Sequence, residues 1–85
     1  MLRTVAVAAS VGLHARPAAL FCEAVAASGA AVTITNEAGR TVDAASILGV
    51  LTLGVAHGQR VVIECDDESV LDRLAELLQT DLDSA

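Results

Sequence analysis

Apolar and polar positions change period along this chain, and each change marks an element. From Thr4 to Ala8 they alternate, with Val5 and Val7 on one face, which predicts a β-strand. A loop follows over Ala9 to Leu13, punctuated by Gly12. From about Pro17 to Ala27 the period becomes helical, and Ala18, Phe21, Cys22 and Val25 share a face. Pro17 suits an opening turn, because the N–H it lacks would have no partner inside the helix. Ser28-Gly29 ends the run, with Gly29 as the cap. Alternation returns in Val32-Thr33-Ile34-Thr35. Asn36-Glu37-Ala38-Gly39 then makes a turn, and Arg40 to Asp43 closes a hairpin.

Ser46 stands at a helix start before Ile47, Leu48, Val50 and Leu51. Gly49 and Gly54 weaken that helix, so a short one is expected. His57-Gly58 reads as a turn, and Arg60 to Cys65 as a strand with Val61, Ile63 and Cys65 on one face. Asp66-Asp67-Glu68 opens a last helix with charge that suits its dipole. There Val70, Leu71, Leu74, Leu77 and Leu78 form an apolar stripe, while Asp72, Arg73, Glu76 and Gln79 face water. The order strand, helix, strand, strand, helix, strand, helix predicts an α+β fold. Its helices pack on one face of a four-stranded, mostly antiparallel sheet. The other face should be wetter, carrying Thr33, Thr35 and Glu64. No repeat or linker divides the chain, and 85 residues suit one domain over 1–85.

Composition narrows the function. Aromatic residues are 1 % of the chain, Phe21 alone, so recognition of bases or sugars by stacking is disfavoured. The net charge is −6 and all five basic residues are arginine. That argues against binding nucleic acid or an anionic membrane, yet leaves room for one anion site around Arg16. Cys22 and Cys65 read as small buried hydrophobes rather than a redox pair. His14, His57, Cys22 and Cys65 lack the spacing of metal ligands, so no metal site is expected. Met1 to Ala9 faintly resembles a short signal peptide, but its cleavage would remove the first strand; it is read as a strand of a cytoplasmic protein. No apolar run approaches membrane-spanning length.

The chemistry concentrates in Gly12-Leu13-His14-Ala15-Arg16-Pro17-Ala18. One histidine lies at the mouth of a helix with an arginine beside it. Free N–H groups and the positive end of the helix dipole favour an anion there. A neutral imidazole at that point can attack phosphorus, so His14 reads as a phosphoryl acceptor.

Together with Ser46-Ile47-Leu48-Gly49-Val50-Leu51-Thr52-Leu53-Gly54, this run resembles HPr, the histidine-containing phosphocarrier family of the bacterial phosphoenolpyruvate-dependent sugar phosphotransferase system. The separation of the two motifs, the element order and the length fit as well. The resemblance implies an open-faced sandwich with four antiparallel strands and three helices on one side. It implies that His14 accepts a phosphoryl group on Nδ1 from Enzyme I and passes it to a histidine of a sugar-specific IIA domain. Arg16 would steady the phosphoryl oxygens, and the backbone N–H groups of Ala15 and Arg16 would cap them. A carrier rather than an enzyme is implied, with no metal or organic cofactor; a monomer is expected because an exposed patch is needed for exchange with partners.

Ile47 and Leu48, with Leu51, are expected to form an apolar docking patch that Ala19 and Leu20 extend. Five apolar residues in so short a segment cannot all face inward. Ser46 suffices as an N-cap; in part of the family the matching serine is a target of HPr kinase, whose phosphate would add charge to the docking face. His57 is read as a loop residue without a special role. The chain departs from the family at Val11, at Glu23, where some relatives carry a basic residue facing acidic partners, at Ala45 in place of a common lysine, and in a hairpin turn one residue longer. Alternative readings are a carrier in a nitrogen-related regulatory phosphorelay, an interaction module that transfers nothing, and a small ligand-sensing domain.

Overall fold

A computed structural model describes residues 1–81. Residues 82–85, the end of the span expected as one domain, lie outside the described residues. The elements run β1 (Leu2–Ala6), α1 (Ala15–Ser28), β2 (Thr33–Thr35), β3 (Thr41–Asp43), α2 (Ile47–Thr52), β4 (Arg60–Glu64) and α3 (Glu68–Gln79). The strands form one antiparallel sheet in the order β1-β4-β2-β3. This is the expected α+β order, with an open sheet and three helices.

Side-chain alternation decides what each face of the sheet meets. Val5, Ile34, Val61 and Ile63 point into the core, and Thr4, Thr33 and Glu64 are exposed on the opposite face. The α3 stripe of Leu71, Leu74 and Leu78 is buried, and α3 packs on β1 and β4. On α1, Ala18, Phe21, Cys22 and Val25 are buried, with Pro17 beside them. With one aromatic ring available, the core is filled by Phe21 and branched aliphatics around it. Both cysteines are buried and free.

Local chemistry bounds the helices, at Gly29 as the sequence predicts and at Asp67 by a side-chain cap where the sequence showed only favourable charge. Gly29 caps α1 at a left-handed φ of 71°, donating its N–H to the Ala26 carbonyl. At α3 the Asp67 carboxylate accepts from the N–H groups of Ser69 and Val70. The Ser69 hydroxyl, foremost, and these amides hold that carboxyl below its ordinary pKa. Arg3 reaches from β1 to Asp72 at 3.1 Å and Glu68 at 3.6 Å on α3, an exposed link of small energetic weight.

Two elements shift by two residues, and the strands expected to include Val32, Arg40 and Cys65 each stop one residue short of them. The first strand spans Leu2–Ala6 instead of Thr4 to Ala8 because its partner sets its ends. β4 supplies ladder partners from Glu64 opposite Leu2 to Arg60 opposite Ala6, and no further. Val7 then bonds to the turn beyond, donating to Gln59 and accepting from Gly58, while Ala8 donates to Leu78. The first helix starts at Ala15, two residues earlier than its periodicity suggests, which leaves Pro17 inside the first turn.

Candidate functional site

The loop from Ala9 to His14 is held on both sides before it delivers the histidine. Leu13 is fully buried and donates its N–H to the Val55 carbonyl at 2.9 Å. Gly12 sits at a φ of 73°, so close to that segment that a Cβ would run into the Val55 carbonyl oxygen. Glycine is required there both for its dihedral and for the close approach. His57 Nδ1 lies 3.2 Å from the Ala9 carbonyl. A carbonyl only accepts, so this ring carries its proton on Nδ1 and ties the 55–59 segment to the loop. His57 is a loop residue, as expected, and the structure adds a contact that the sequence did not suggest, between its ring and the loop that ends at His14. The signal was invisible locally, because the contact spans 48 residues.

His14 occupies the N-cap of α1 in an extended conformation, φ −134° and ψ 163°. Its side chain is exposed and makes no capping hydrogen bond. Ala15 follows at φ 50°, the one non-glycine residue at positive φ among the described residues. Leu13 on one side and Pro17 and Ala18 on the other are buried, so the chain must turn sharply between two fixed points. An L-residue in that conformation stores about 1 kcal/mol. Of the first amides of the helix, Pro17 has none, and Ala18 points at the His14 carbonyl at 3.5 Å. The N–H groups of Ala15 and Arg16 meet no acceptor among the described residues. Arg16 is exposed and forms no ion pair there. The result is an open imidazole at a helix N-terminus with two free amides, and an exposed arginine two residues on in the chain, an arrangement suited to a dianionic group.

A second surface flanks it. α2 packs against α1 and β3, so the apolar residues of the two helices adjoin. Val50 is buried and Leu51 half-buried, while Ile47 is 39 % exposed and Leu48 74 %. On α1, Ala19 and Leu20 are half-buried. Ser46 caps α2, its hydroxyl accepting from the Gly49 N–H at 3.1 Å, and stays exposed. Gly49 has no Cβ to hold α2 away from Val42 of β3. The hairpin turn pins the far end of α2 through Asn36 Nδ2, which donates to the Leu53 carbonyl at 3.0 Å. Between α1 and α2 lies a groove of ≈ 320 Å³ lined by Ala19, Cys22, Glu23, Ala26, Ala45 and Ile47. Burial, and then the nearby Asp43 charge, pushes the Cys22 thiol above its ordinary pKa, so it is a poor nucleophile.

An open-faced α+β sandwich presenting one histidine at a helix mouth is the class of protein these elements define. Within it, the chain belongs to the HPr family of phosphocarriers of the phosphotransferase system: the family model described as the PTS HPr component phosphorylation site matches residues 1–80. Phosphocarrier protein HPr of Streptomyces coelicolor is 44 % identical over 84 residues, covering 95 % of this chain and 90 % of that protein. Phosphocarrier protein NPr of Proteus mirabilis is 31 % identical over 84 residues, 95 % of this chain and 93 % of that protein. The crystal structure of HPr from Bacillus anthracis superposes with a TM-score of 0.88 at 34 % identity, covering 93 % of this chain and 96 % of that one. No helix among the described residues is long and apolar enough to cross a membrane.

Proposed function

We propose that this protein carries phosphoryl groups on His14, from phosphorylated Enzyme I to sugar-specific IIA domains, in the cytoplasm. The observation that carries the reading is the exposed, unpartnered imidazole at the start of α1, with two free amides and with Arg16 two residues on in the chain. In the transfer, the Nδ1 lone pair attacks phosphorus of the donor phosphohistidine. A new N–P bond forms, the old one breaks, and the donor imidazole leaves with the electron pair. Such a step depends on positioning and charge stabilisation rather than on covalent help. Arg16 and the amides of Ala15 and Arg16 meet the phosphoryl oxygens. Donor and product are both phosphoimidazoles, so the group is passed onward at little cost, which suits an open site.

Ile47, Leu48 and Leu51, with Ala19 and Leu20, give both partners an apolar surface next to the histidine. The two partners use this face in turn, so the working form is a monomer with the face free. Ser46 lies at its rim; a phosphate there would add negative charge to the surface, the basis for a regulatory role through an HPr kinase. The likeness to NPr is the lower one, and the sugar-transport branch is the reading adopted.

The test is to incubate the protein with phosphoenolpyruvate and the Enzyme I of the same cell, beside His14→Ala, and weigh both intact. One acid-labile phosphoryl group on the wild type and none on the variant is the expected result. No addition to the wild type overturns the carrier reading.

A further inference from the structure

The groove between α1 and α2 has an unusual lining. Ala19, Cys22, Ala26, Ala45 and Ile47 contribute small or apolar surface, and Glu23 contributes the one charge. Glu23 is exposed, and among the described residues the ion pairs are those of Arg3 with Glu68 and Asp72. The carboxylate therefore has no cation of its own. Asp43 adds to the negative field, since its charge is felt at Cys22, which lines the groove. The nearest basic residue on the same helix is Arg16, seven positions earlier, roughly 10 Å along the axis at 1.5 Å per residue. This face is therefore dipolar, positive at the histidine and negative at the groove. Its apolar walls continue into Ile47 and Leu48 of the proposed docking surface.

We infer that the groove receives an arginine side chain of the phosphoryl-donating protein, its alkyl stem along Ala19, Ala26 and Ile47 and its guanidinium on the Glu23 carboxylate. This inference rests on the carrier reading and deepens it by naming a specificity-determining residue. Arginine fits because its stem covers apolar surface while its planar head pairs with a carboxylate in two hydrogen bonds. The groove of ≈ 320 Å³ admits one long side chain. The pair fixes register. With the donor's phosphoryl group drawn to Arg16 and its arginine drawn to Glu23, the partner has one orientation in which both are satisfied.

The experiment measures phosphoryl transfer from phosphoenolpyruvate through the Enzyme I of the same cell, with this protein as the varied substrate. Wild type is compared with Glu23→Gln, Glu23→Arg and Glu64→Arg. The last makes the same charge change on the outer face of the sheet, away from the groove. Glu23→Gln is expected to raise KM by a few-fold, and Glu23→Arg by on the order of tenfold or more, because like charges then face each other. Glu64→Arg is expected to leave KM unchanged. The penalty of Glu23→Arg should shrink as salt is raised. Circular dichroism and thermal melts check that Glu23→Arg is folded; it changes an exposed side chain on a helix. A folded Glu23→Arg with the KM of wild type, or a rise matched by Glu64→Arg, overturns the groove assignment and leaves the carrier reading standing. A wild type that accepts no phosphoryl group overturns both.

Discussion

Replacing Gly12 by alanine should loosen the loop that delivers His14, and the size of the effect follows from two separable causes. The first is dihedral: at a φ of 73° an alanine costs about 1 kcal/mol. The second is steric, because the new Cβ meets the Val55 carbonyl oxygen and comes within 2.9 Å of Ala56 Cα. Backbone atoms cannot swing away, so the loop must move. That weakens the Leu13–Val55 hydrogen bond, worth about 1 kcal/mol, and draws Leu13 partly out of the core, worth about 1 kcal/mol more. Gly12→Ala should therefore cost about 3 kcal/mol. Gly29→Ala is the matched control, with a φ of 71° and nothing within 4 Å of the added Cβ. It carries the dihedral cost alone, and the gain from a stiffer unfolded chain is common to both. The difference between the variants, about 2 kcal/mol, should appear as a Tm gap of roughly 8–16 °C in a domain of this size. Urea titration gives the same comparison at constant temperature. Equal losses in the two variants would refute the argument that Gly12 is there for the close approach.

Two further outcomes are expected. Ala15→Gly should hold or raise stability, by about 0.5 kcal/mol, because relief of the left-handed alanine exceeds the entropy of a freer unfolded chain; a loss of about 1 kcal/mol in urea unfolding, the ordinary cost of glycine in a helix, would count against strain at the site. Asp67→Asn should flatten the acid limb of stability: the folded carboxyl lies below its reference value of 3.8, so its contribution is present above that pH and is lost as pH falls through the lowered value. Melts taken between neutral pH and about pH 2 check this, and parallel acid limbs for the two proteins would contradict it.

Much of the architecture was legible because its causes are local. The alternation of Val61, Ile63 and Cys65 and the helical spacing of Leu71, Leu74 and Leu78 state which way each side chain points, whatever it packs against. Gly29 donates to a carbonyl three residues back and Ser46 accepts from an amide three residues on, and each is a cap in the structure, as is Asp67, which the sequence showed only as charge suited to the helix dipole. His14 was conspicuous for the same reason, as a histidine just before a proline-bearing helix start. The contacts that hold it were not. The ends of the first strand depend on where β4 stops, and the bracing of the loop depends on Val55 and His57, more than 40 residues away.

By itself, then, the sequence determined the type and order of the elements, the inward face of each, the caps at Gly29 and Ser46 and the residue at the helix mouth, since these follow from the covalent chain and its nearest neighbours. Only the tertiary structure decided the strand order β1-β4-β2-β3, the left-handed turn at Ala15, how far Ile47 and Leu48 stand out into water, and the groove in which Glu23 is left without a cation. Each of these depends on which distant surfaces close against one another, and hydrophobic burial rewards that closure without regard to position along the chain.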